Sequence, residues 1–92
     1  MARKTVERTV WINGQRWKIC RAKLRGKDGD CNYATRTLRI HYTLTGTDLK
    51  DTLLHEMIHA RWPDLLETSV SEFATLLTSV LDAERFCRAE EV

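Results

Sequence analysis

Apolar and polar residues alternate in two short segments near the N-terminus. Residues 9–12 read Thr-Val-Trp-Ile, residues 15–19 read Gln-Arg-Trp-Lys-Ile, and the two segments flank Asn13-Gly14. Alternation with a period of two is typical of a β-strand that is buried on one face only. Asparagine and glycine both tolerate the positive φ angles that a type I′ turn requires at its two central positions. The pattern therefore predicts an antiparallel hairpin.

A second hairpin is predicted further along the chain. Residues 26–30 form a polar loop of glycine, lysine and aspartate, and residues 32–34 and 37–42 then flank Thr35-Arg36. The second of these strands carries alternating apolar residues, namely Leu38, Ile40 and Tyr42. Enrichment in β-branched and aromatic residues between turn-forming residues favours strands. We therefore expect a small antiparallel sheet in the first half of the chain.

Helical periodicity replaces alternation in the second half. The first helix has a broad apolar face, made of Leu49, Leu53, Leu54, Met57, Ile58 and Ala60. Thr47 is the predicted N-cap, because a hydroxyl side chain can accept a hydrogen bond from a free backbone N–H of the first turn. The helix should end near Trp62, because Pro63 disfavours helical backbone at the residue before it.

The second helix is predicted to begin with Asp64 as its N-cap and to run to about Ala83 or beyond. Its apolar stripe consists of Leu66, Val70, Phe73, Leu77, Val80 and Leu81. Because only a short turn joins the two helices, they should pack antiparallel. The expected fold is one α+β domain over residues 1–92, with the antiparallel sheet followed by two antiparallel helices.

The first helix carries the pattern His55-Glu56-Met-Ile-His59, or HExxH. Residues four apart lie on one face of a helix, so the two imidazoles can bind the same metal ion. Glu56 is rotated away from that line and is placed to hold a water molecule and accept its proton. The pattern therefore predicts a zinc site with His55 and His59 as ligands and Glu56 as general base.

Hydrolytic zinc sites usually have three protein ligands, so a third must come from elsewhere. Glu67 lies about one turn past the corner between the helices, and it borders the apolar stripe more closely than Glu72 does. Glu67 is the predicted third ligand and Glu72 is the alternative. The spacing of Asp64 and Glu67 also fits a capping box, in which the glutamate would bond to the backbone instead of a metal.

These residues resemble known zinc peptidases. The segment from Thr52 to Ala60 is similar to the metal helix of SprT-like and other zincin metallopeptidases, and Glu67 with the apolar residues after it is similar to the second helix of gluzincins such as the ImmA/IrrE-like peptidases. As a whole the chain most resembles very small metallopeptidases of phage or bacterial type. The resemblance implies zinc bound by His55, His59 and Glu67, with Glu56 as base. The chain departs from SprT-like proteins in having no histidine after His59.

The function expected from these features is hydrolysis of a peptide or protein substrate, with one Zn²⁺ per chain. The alternative is a zincin-shaped domain that keeps the metal for stability and binds a protein or nucleic acid without cutting it. No tyrosine or histidine follows the second ligand to stabilise an oxyanion. His41 and Tyr42, at the end of the last predicted strand, are considered for that task, but neither is assigned to the site.

Composition adds little to this picture. The net charge is +2 with 30% charged residues, and the basic residues are concentrated in the N-terminal half. A basic sheet can face nucleic acid, but a solvated strand face explains it more simply. There is no apolar run long enough to span a membrane and no signal peptide, so we expect a cytoplasmic protein. The cysteines Cys20, Cys31 and Cys87 are odd in number and widely spaced, which favours reduced thiols, and we expect Cys20 and Cys87 to be small packing residues.

Overall fold

The computed structural model describes residues 7–84, which form a four-stranded sheet followed by two helices. The strands and helices, in chain order, are β1 (Glu7–Ile12), β2 (Gln15–Ala22), β3 (Gly29–Asn32), β4 (Thr37–His41), α1 (Gly46–Arg61) and α2 (Glu67–Glu84). The α+β class and the order of sheet before helices are therefore confirmed. Neither described helix is long and apolar enough to cross a membrane. The prediction for Cys87 falls outside the described residues.

The first hairpin forms as predicted. β1 and β2 are antiparallel, with Ile12 paired to Gln15 across the turn. Asn13 has a φ of 54° and Gly14 a φ of 74°, so both turn residues adopt the left-handed conformation that asparagine and glycine tolerate. Both strands extend beyond the predicted segments at the open end of the hairpin, where β1 begins at Glu7 and β2 ends at Ala22.

The second hairpin forms with different bounds. β3 and β4 are antiparallel, but β3 begins at Gly29, so part of the predicted polar loop is strand. The strand predicted over residues 32–34 is wrong beyond Asn32, whose side-chain Oδ1 accepts a hydrogen bond from the Thr35 backbone N–H and turns the chain. The early start of β3 places Asp30 opposite Arg39, with which it forms a bidentate ion pair at 2.9 and 2.5 Å.

The sheet is mixed and not simply antiparallel as predicted. Its order is β1-β2-β4-β3, and the central pair β2 and β4 is parallel. The chain crosses from β2 to the far edge, forms β3 there and returns through the centre as β4. This order fully buries Leu38 and Ile40 of β4, while the polar strand β3 takes an edge position. Alternation along a strand does not encode which strands become neighbours, so the parallel pair was not predictable locally.

The core lies on both sides of α1. One buried cluster joins the sheet to α1 and contains Ile12, Trp17, Leu38 and Ala60. The other joins α1 to α2 and contains Ile58, Val70 and Ala74. The helix α1 is therefore held against the sheet through one face and against α2 through another. Its polar side chains have fixed positions relative to both.

The predicted helix caps are wrong. α1 begins one residue before Thr47, with Thr45 as its N-cap and no side-chain capping bond, and the Thr47 hydroxyl instead donates to Asp82 of α2 at 2.7 Å. Asp64 does not cap α2, which begins only at Glu67. The intervening residues form a turn, in which the Leu65 N–H donates to the Trp62 carbonyl at 3.1 Å. The predicted end of α1 near Trp62 is confirmed.

The buried stripe of α2 differs from the predicted one. Val70 is fully buried and Leu77 and Leu81 are half-buried, as expected, but Leu66, Phe73 and Val80 are exposed. Small side chains, Ala74 and Thr78, occupy buried positions of this face instead. The reason is close packing, because small residues at the interface allow α2 to approach α1.

Candidate metal centre

The two histidines of the HExxH pattern meet on one face of α1. The Nε2 atoms of His55 and His59 are 3.2 Å apart, and the ring centroids are 4.8 Å apart. Their side chains are about one-fifth exposed. Helical geometry accounts for the arrangement, because residues four apart are stacked one turn above each other.

Glu67, the first residue of α2, brings a carboxylate to both imidazoles. Its Oε2 lies 3.0 Å from Nε2 of His55 and its Oε1 lies 2.9 Å from Nε2 of His59. The ligand atoms of the three residues all lie within 4.8 Å of one another. Among residues 7–84, this is the only cluster of three or more His, Cys, Asp or Glu side chains with that geometry.

The spacing of these atoms fits a tetrahedral metal ion. Zinc–nitrogen distances of about 2.0–2.1 Å place two tetrahedral ligands about 3.3 Å apart. The two imidazole nitrogens of His55 and His59 are 3.2 Å apart, close to that value. Two histidines and one carboxylate are also a donor set that leaves a fourth position for water. The three residues could therefore hold a metal ion, and their spacing is compatible with zinc.

The alternatives for the third ligand occupy other positions. A capping box needs Glu67 at the third helical position, but α2 begins with Glu67 itself, so that arrangement does not form. Glu72 is exposed and lies on a separate surface with Ser71, Thr75 and Leu76. Of the two glutamates, the structure thus brings Glu67 to the histidines and leaves Glu72 away from them.

Glu56 lies beneath the histidine face and is only 8% exposed. Edge strand β3 covers it: a β-carbon on Gly29 would lie 3.3 Å from Cγ of Glu56. Burial raises the pKa of the Glu56 carboxyl, while the His55 and His59 imidazoles act in the opposite direction. A carboxylate that is shielded from bulk water and adjacent to two metal-type ligands is suited to exchange a proton with a water held nearby.

Tyr33 contacts the same helix and was not anticipated from the sequence. Its hydroxyl donates a hydrogen bond to the backbone carbonyl of His59 at 2.8 Å, and its ring packs edge-on against Trp17. Burial, followed by the proximity of Cys31, raises the pKa of Tyr33 to about 12, so the phenol stays protonated and remains a donor at neutral pH. The sequence pattern placed Tyr33 in a strand and offered no signal for this contact.

His41 and Tyr42, which the sequence analysis left outside the site, are not part of the histidine–carboxylate group. The Nδ1 atom of His41 lies 3.0 Å from the Thr43 hydroxyl, and its ring stacks on Tyr42. Cys20 and Cys31 are both half-buried and are not joined to each other by a disulfide. Burial raises the pKa of both thiols, which is typical of packing cysteines.

Comparison with protein-family models, with curated proteins and with solved structures found no match to this chain. The resemblance of the HExxH segment to zincin peptidases therefore rests on its sequence pattern alone.

Proposed function

We propose that this chain is a zinc-dependent peptidase in which His55, His59 and Glu67 hold one zinc ion and Glu56 is the general base. The observation that carries the proposal is the position of the Glu67 carboxylate, within 3.0 Å of both imidazole nitrogens although it belongs to a different helix. The carboxylate thereby completes a group of three metal-type ligands although its side chain is about two-thirds exposed. The buried Glu56 directly beside the pair supplies the proton acceptor that hydrolysis requires.

When held by His55, His59 and Glu67, a zinc ion would supply Lewis-acid chemistry, which polarises a carbonyl and lowers the pKa of water towards about 7. Glu56 accepts the proton that the attacking water loses and delivers it to the amine leaving group. The Tyr33 hydroxyl, bonded to the His59 carbonyl, fixes the end of α1 that carries the second histidine. Rigid support of this kind holds a ligand in its productive orientation.

A peptide substrate is best accommodated along β3. This strand is at the edge of the sheet, so one side of its backbone is free to pair with an extended chain. It also lies directly against α1, where Gly29 approaches Glu56. An extended peptide bound to this edge would therefore lie beside the histidine group.

The test combines metal analysis with one conservative variant. We expect one zinc per chain in the purified protein, loss of zinc in His59→Ala, and retained zinc with lost cleavage of a mixed peptide library in Glu56→Gln. Glu72→Gln is the matched control, because it makes the same change at an exposed glutamate of α2 away from the histidines and should change neither property.

Two outcomes would contradict the proposal in different ways. Less than about a tenth of an equivalent of metal per chain in protein that has not been treated with a chelator would show that there is no metal centre. One equivalent of zinc with no cleavage by the parent protein would instead favour the zinc-stabilised, non-catalytic domain.

A further inference from the structure

A cavity lies between the sheet and the N-terminal half of α1, apart from the histidine group. Its volume is about 340 Å³. Four of the six side chains that line it are aliphatic and two are basic: Ile19, Ile40, Leu49, Leu53, Arg8 and Arg21. None of the six is acidic, so the cavity combines an apolar wall with positive charge.

The strand register explains why the arginines share this cavity. Arg8 of β1 is paired with Ile19 of β2, and Arg21 of β2 is paired with Ile40 of β4. Paired residues point to the same face of a sheet, and so do residues two apart on one strand. All four therefore project from the same face of the sheet, on which Arg21 is partly buried and Arg8, on edge strand β1, is exposed.

Arg21 has no charge partner within residues 7–84. Its Nη2 donates to the carbonyls of His41, Tyr42 and Leu44 at 3.3, 3.1 and 2.6 Å, but its Nε is buried and makes no hydrogen bond. Carbonyl oxygens, and no carboxylate of the described residues, thus face the guanidinium of Arg21, and its Nε is a buried donor without a partner. An unpartnered buried donor of this kind calls for a specific explanation, such as a bound anion.

We propose that this cavity binds an aliphatic monocarboxylate of about eight carbons, with its carboxylate at Arg8 and Arg21 and its alkyl chain against the leucines and isoleucines. The carboxylate would supply the missing partner of the guanidinium groups, whose planar donors match its two oxygens. The alkyl chain would cover the apolar wall. An inorganic anion leaves that wall uncovered, and a neutral hydrocarbon leaves the charge unpaired.

The size of the cavity agrees with this ligand. At about 30 Å³ for each water-sized group, 340 Å³ accommodates about eleven such groups, and octanoate has about ten non-hydrogen atoms. A volume of this order is at the lower end of that of small-molecule sites in general.

The test is titration of the full chain with octanoate by calorimetry, with 1-octanol and inorganic phosphate as comparison ligands. We expect saturable octanoate binding with a Kd at or below about 1 mM. Binding of octanol should be at least about tenfold weaker, and phosphate should bind no better than octanol. Octanoate affinity should also fall with ionic strength.

Variants separate this site from general charge effects. Substitution of Arg21 is unsuitable as a test, because Arg21 holds the segment between β4 and α1 through hydrogen bonds. Arg8 is exposed, and Arg8→Gln should weaken octanoate binding about threefold. Leu49→Phe should fill the cavity and abolish binding. Lys18→Gln removes a charge from the opposite face of β2 and should leave the Kd unchanged. Absence of octanoate binding, equal binding of octanol, or equal weakening by Lys18→Gln would overturn the proposal.

Discussion

Gly29→Ala tests how closely the edge strand is packed onto the helix that carries the candidate site. A β-carbon at this position would lie 2.8 Å from Cγ2 of Thr52, 3.0 Å from the Arg39 carbonyl oxygen and 3.3 Å from Cγ of Glu56. The Arg39 oxygen belongs to the backbone of β4 and cannot rotate away. Either β3 must separate from β4, or α1 must move away from the sheet.

The loss of stability follows from the contacts that the added β-carbon would disturb. Adding one carbon to a packed interface typically costs about 1–3 kcal/mol in the free energy of unfolding. For a domain of this size, that corresponds to a fall in Tm of about 5–20 °C. Urea unfolding followed by tryptophan fluorescence measures it directly, since Trp17 is buried in the core cluster beside the sheet.

Thr52→Ala supplies the control, because it removes the closest of the three contacting atoms. In that background, Gly29→Ala should cost less than in the parent, but it should still destabilise the protein because the contact with the Arg39 oxygen remains. A loss below about 0.5 kcal/mol in the parent would refute the reasoning. An identical loss in both backgrounds would show that Thr52 does not limit the approach.

The remaining predictions concern one residue each. Glu67→Gln should weaken zinc affinity by at least about tenfold, because a neutral amide is a poor ligand, and competition with a chelator measures this affinity. Glu72→Gln should leave the affinity unchanged. The reverse result would identify Glu72 as the third ligand. Asp30→Asn should reduce the free energy of unfolding near pH 7 by less than about 1 kcal/mol, since the pair with Arg39 is partly exposed. Hydrogen bonding to Arg39 lowers the pKa of Asp30, so the contribution is present above the unfolded pKa of about 3.9 and disappears as the pH falls through the lower folded value. A difference between parent and Asp30→Asn that persists far below pH 3 in urea titrations would contradict this assignment.

The features that the sequence predicted well are local. The Asn13-Gly14 turn depends on two adjacent backbone conformations, and both have the positive φ that was expected. The histidine pair depends on a single turn of helix. Glu67 could be selected because Pro63 marks the corner between the helices and thereby limits which side chains can face His59 across it.

The features that the sequence did not predict depend on contacts between distant parts of the chain. Nothing in the alternation of β2 or β4 states that they will pair, and their parallel pairing follows from burial of Leu38 and Ile40 at the centre. The contact of Tyr33 with His59 spans 26 positions. It forms only because the edge strand lies against α1, which in turn depends on the small size of Gly29.

At the corner between the helices, the carboxylate of Glu67 also links the start of α2 to α1. Trp62, Leu65 and Leu66 are all substantially exposed there, so the apolar contribution that holds the start of α2 against α1 comes from Val70, which is buried in one cluster with Ile58. Among the described side chains at this corner, the polar links from α2 to α1 run from Glu67 to the two histidines. Exposed pairs of this type are worth at most about 1 kcal/mol each, whereas a metal bound by the same three groups adds its binding free energy to that of folding. The corner should therefore depend on the metal more than the sheet does, because the core cluster of the sheet is closed without any residue of α2.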